Sequence, residues 1–83
     1  MKLSDIVPTG GALYVAGYGH ELRITSDTSQ TGYTLTLRQA VNHPPIATTS
    51  GAQTVTNVSN FISNYMTSAG ARYMITTIRR CQL

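Results

Sequence analysis

The stretch from Thr54 to Gly70, TVTNVSNFISNYMTSAG, constrains this chain more than any other. Val55, Val58, Phe61, Ile62, Tyr65, Met66 and Ala69 recur at three- and four-residue intervals, which is one face of a 3.6-residue period. Asn57, Asn60, Ser63, Asn64 and Thr67 fall on the opposite face. Thr54 is placed to accept from a free amide of the first turn, and Gly70 suits the left-handed position past the last turn. The spacing therefore predicts one helix over about 54–69. Thr, Ser, Asn and Val are mediocre helix formers, and no Glu–Lys pairs support the solvent face. Such a helix is stabilised by docking, at roughly 1.5–3 kcal/mol for each large side chain fully buried.

The flanking segments read as the sheet on which it docks. Residues 1–11 form an irregular lead-in with turn residues Ser4-Asp5 and Pro8-Thr9-Gly10-Gly11, and with Leu3, Ile6 and Val7 available to the core. Residues 12–25, ALYVAGYGHELRIT, have strand composition broken by Gly17 and Gly19. Two readings compete: a hairpin turning at Gly17-Tyr18, or one long strand bent by a glycine bulge, which is preferred. After a polar loop at 26–32, residues 33–38, YTLTLR, alternate cleanly and pair as a hairpin with Leu22 and Ile24. Pro44-Pro45 forbids helix, and residues 46–48 suit a short edge strand. Residues 71–79, ARYMITTIR, carry branched residues on both faces and read as a last strand. The expectation is one α+β domain over 1–83: a small, mostly antiparallel sheet in β–β–(β)–α–β order with the helix on one face and a tail at 81–83.

Charged residues make up only 11 % of the chain, and thirteen Thr and seven Ser take their place. A hydroxyl surface repels its neighbours weakly, which favours association. The net charge of +3 rests on few groups, so nucleic-acid binding is permitted without being implied. No apolar stretch reaches the length of a membrane span, and the N-terminus lacks the apolar core of a signal peptide. Lone Cys81 forms no internal disulfide, and a cytoplasmic setting follows as the default expectation (the host cytoplasm for a virus-encoded chain).

A convergent reactive set is missing from the pattern. Asp5, Glu21 and Asp27 are well separated in sequence, and Glu21 and Asp27, which flank one strand end, read as solvated, whereas paired-carboxylate chemistry needs two that meet. Arg79 and Arg80 would favour a thiolate at Cys81, yet a terminal tail builds no rigid catalytic surround. His20, His43 and Cys81 fit no zinc spacing, and the glycines at 10–19 are not followed by the Lys-Ser/Thr of a phosphate loop. The expectation is therefore no enzyme, no cofactor and no metal.

Surface remains. A sheet covered on one side leaves its other face open, and its expected members are Arg23, Thr34, Thr36 and Arg38, with Glu21 and Thr25 at the margin, joined by Tyr14 and Tyr18 if the bulge falls between them and Leu22. Tyr and Arg are common anchors of protein contacts, although a plain solvated face is the blander reading. The leading expectation is a non-enzymatic module that binds another protein stoichiometrically, as an inhibitor or adaptor, for example a virus- or plasmid-encoded inhibitor of a host enzyme. A second is nucleic-acid binding through an Arg/Tyr sheet face, with Arg72, Arg79 and Arg80 as a further basic patch. A third is self-assembly, as in a virion component or a homodimer formed through the 72–79 strand.

Overall fold

The computed structural model describes residues 2–27, 32–40 and 42–80. Four strands form an antiparallel meander in the order β1 (Ala12–Gly17), β2 (His20–Ser26), β3 (Gly32–Arg38) and β4 (Pro45–Ala52). Two helices follow, α1 (Val55–Tyr65) and α2 (Ser68–Arg80). The expected α+β class with a small antiparallel sheet holds. Cys81 and most of the 26–32 loop lie outside the described residues.

Register follows the two-residue period. Leu13, Ile24, Leu35 and Thr49 stand opposite one another across the four strands, as do Val15, Leu22, Leu37 and Ala47. The residues between them point to the other face. Leu22, Ile24, Leu35 and Leu37 are completely buried. Leu3, Ile6 and Val7 join that core as expected, fixed by a single 3-10 turn at Leu3–Asp5. Val58, Phe61 and Ile62 of α1 and Ala71, Met74 and Ile78 of α2 complete it.

Several expectations are corrected. Residues 12–25 are not one bent strand. They form a tight hairpin whose two loop residues are Tyr18 (φ 51°) and Gly19 (φ 78°), one position later than the alternative reading placed the turn. Positive φ at both loop positions matches the twist of the flanking strands, which is why such turns close two-residue hairpins.

The edge strand β4 is longer than expected and carries an irregularity where Arg38 faces Pro45.

The single helix is two. Thr54 caps α1 as expected: its hydroxyl accepts from the Asn57 amide at 3.1 Å, and Asn57 Oδ1 accepts from the Thr54 amide at 3.0 Å. Met66 then leaves the helix with φ −126° and ψ 157°. The Thr67 hydroxyl accepts from the Gly70 amide at 3.3 Å and restarts the chain as α2.

The segment 71–79 is consequently helix and not strand. Ala71, Met74, Ile75 and Ile78 line one face of it, a helical spacing that two-faced strand parity obscured. Gly70 is no C-terminal cap; it is buried within α2, where an added Cβ would stand 3.3 Å from Tyr18 Cβ. A homodimer through a 72–79 strand has no strand to use.

Candidate functional site: a bare sheet face and a basic helix

The helices cover one side of the sheet, and α2 packs on α1 and β1. On the other side, Tyr14, Arg23, Thr36 and Thr48 stand opposite one another in a row. Thr25, Thr34 and Ser50 form a flanking row. Five of the six expected site residues, Tyr14, Arg23, Thr34, Thr36 and Arg38, are thus brought onto one face by strand parity.

The two largest exposed side chains of this face are linked. The Arg23 guanidinium lies 5.7 Å from the centroid of the Tyr14 ring, and Tyr14 is 57 % exposed. A guanidinium over an aromatic face loses less freedom on binding, since the contact already orders both groups.

Arg38 is differently placed. Its guanidinium is an ion pair with Glu21 directly across the β2–β3 ladder, and Nε donates to Oε1 at 3.1 Å. The Glu21 side chain is 12 % exposed, so the reading of Glu21 as solvated is corrected. With Arg38 neutralised, the bare face carries one net positive group, Arg23, in a field of hydroxyls.

Tyr18 does not belong to this face. The hairpin turn carries it to the helical side, where its ring lies 5.5 Å from that of Tyr73 at a 54° tilt. Gly17 is what admits Tyr73, because a Cβ there would overlap its ring. Both residues stay exposed, Tyr18 at 60 % and Tyr73 at 44 %. Composition flagged Tyr18, but its side depended on the turn position, which two nearby glycines left ambiguous.

Around this pair lies an open hollow of about 370 Å3, lined by Tyr18, Ala69, Arg72, Tyr73, Thr76, Thr77 and Arg80. A second, of about 400 Å3, runs along the other flank of α2 between the helices, past Arg72, Thr76 and Arg79. Arg72, Arg79 and Arg80 are therefore spread over one exposed side of α2.

Other candidates are weaker. His20 lines an apolar hollow of about 270 Å3 with Ala16, Gly17, Gly19, Glu21 and Ala40. Its Nδ1 is buried without a hydrogen-bond partner among the described residues. Burial pushes the Tyr33 phenol above its ordinary value, and the charges of Asp27 and Asp5 add to this. Among the described residues no group of three His, Cys, Asp or Glu converges, and no helix is long and apolar enough to cross a membrane.

No family model matches the chain, and neither a curated protein nor a solved structure matches it.

Proposed function

We propose that the protein is a stoichiometric binding module, an inhibitor or adaptor, that engages another protein through the bare face of its sheet. The observation that carries this reading is the Tyr14–Arg23 pair: two exposed, mutually ordered anchors on β1 and β2, toward one edge of an uncovered, nearly neutral face. Anchors of this kind supply most of the energy of protein contacts, while a hydroxyl surround is cheap to desolvate beside a charged one.

Area limits the strength. Four strands about 4.8 Å apart and about 20 Å long present a flat patch of roughly 400 Å2. One side of a standard interface buries about 800 Å2. The partner therefore binds transiently or also takes a sheet edge.

That edge favours a second reading, in which the partner is another copy of this chain. β4 is eight residues long, is bonded to β3 alone among the strands, and contains no charged residue. Lys, Glu or inward charges are the usual guards against strand pairing, and β4 has only Pro45 at its start.

Affinity capture from the native source with immobilised protein tests the first reading. The Tyr14→Ser/Arg23→Ser variant should lose a partner that the parent retains, with its thermal melt nearly unchanged. Capture that ignores this double change removes the bare face from consideration. Sedimentation across concentrations tests the second reading: a strict monomer at high concentration rejects it.

A further inference from the structure

We propose that the helical layer carries a separate site for single-stranded nucleic acid, with bases stacking on Tyr18 and Tyr73 and backbone phosphates held by Arg72, Arg79 and Arg80. Charge is the first observation. The sequence contains no acidic residue after Asp27, so neither helix offers a carboxylate to these arginines. The Arg38–Glu21 ion pair uses strand residues. Arg79 and Arg80 lie in the last turn of α2 and gain from the negative end of its dipole. Arg72 stands near the opposite end and gains nothing there, so helix stability does not account for it.

The aromatic pair is the second observation. Tyr18 adopts positive φ at a turn position where Asn, Asp or Gly is at ease, and a Tyr there costs about 1–2 kcal/mol. That conformation stands its ring against Tyr73 at the mouth of the hollow shared with Arg72 and Arg80. Two exposed rings beside guanidinium groups and the Thr76 and Thr77 hydroxyls make a surface with both elements of single-strand recognition: faces for bases and cations for the backbone. A duplex keeps its bases stacked internally and cannot use the rings.

The experiment is fluorescence anisotropy of the intact protein with labelled oligo(U) and oligo(dT), against a duplex of equal length, heparin and poly-Glu. Both single strands should bind more tightly than the other three. Neutralising three phosphates gives a slope of log K on log salt of about −2 on a single strand, so a fourfold rise in salt weakens binding about 20-fold. Arg72→Gln/Arg80→Gln should flatten that slope by about two-thirds. Tyr73→Leu, which keeps bulk over Gly17 without a π face, should weaken binding roughly tenfold, and Tyr73→Phe should retain it. Tyr18→Asn gives an independent reading of the rings should Tyr73→Leu disturb folding, and dichroism melts monitor this. Tyr14→Ser/Arg23→Ser should leave oligonucleotide binding intact. Equal affinity for duplex, heparin or poly-Glu, no binding at low salt, or indifference to both ring changes would each overturn the site.

Discussion

The ring of Tyr73 occupies the space that a side chain at Gly17 would need. The last residue of β1 and the middle of α2 are thereby locked together, and Tyr18 Cβ against Gly70 repeats the arrangement one position on. Gly17→Ala should displace the partly exposed ring and destabilise the fold by about 1 kcal/mol. Gly17→Ala in a Tyr73→Ala background should cost much less. A double-mutant cycle by urea melts measures the coupling, expected at roughly 0.5–3 kcal/mol; strict additivity would show that the two sites are independent.

Arg38 and Glu21 form the polar clasp of the bare face. Arg38→Glu sets a second carboxylate opposite a largely buried one and should destabilise by roughly 1–3 kcal/mol. Glu21→Gln/Arg38→Gln should recover most of that loss, because replacing both partners of a largely buried ion pair leaves no uncompensated charge. Thermal melts of the parent and the two variants check the order. The same changes also explain why Arg23, and not Arg38, is the informative charge for testing partner binding.

Tyr33 ties stability to alkaline pH. Its phenol is raised in the folded state by burial first and by Asp27 and Asp5 next. The unfolded chain therefore gives up this proton at lower pH than the folded one. The contribution is fully present below about pH 10, the ordinary value of a tyrosine, and is lost as pH rises through the folded value. Tyr33→Phe should flatten the fall in stability above about pH 10 while leaving its neutral value little changed. Denaturant midpoints across that window measure it; an unaltered slope would contradict the assignment.

The two helices depend on their caps. Thr54→Ala and Thr67→Ala should each cost about 0.5–2 kcal/mol, since each hydroxyl satisfies a first-turn amide. Hydrogen exchange should localise the losses: the first in α1, the second in α2. Faster exchange across both helices with either change would mean that they open as one unit.

Much of this architecture was legible in the chain. The alternation of 33–38 gave the most secure strand, and Leu22 and Ile24 found Leu37 and Leu35 as its partners. Thr54 marked the start of α1. Two things misled. Tyr73 to Ile78 is rich in branched side chains, and counting by twos made both faces look apolar, while Ala71, Met74, Ile75 and Ile78 follow the helical count. Gly70 looked like a stop because glycine most often ends helices; here it lies in the first turn of α2 and lets the β1–β2 turn approach. Arg23, Thr34, Thr36 and Arg38 needed only strand parity, whereas the side taken by Tyr14 also needed the turn at Tyr18-Gly19. The Arg38–Glu21 pair needed the β2–β3 register, and the Tyr18–Tyr73 contact needed the turn position and the second helix together. Neither was available from local pattern alone.

A sheet coated on only one side gives this molecule two outlooks that never share a line of sight. Whatever rests on the threonine rows and whatever rests along the outer side of α2 sit back to back, with the sheet, the buried core and the helix itself between them. Occupants of the two sides would neither collide nor compete, and the chain would serve as a thin tether whose ends saturate independently.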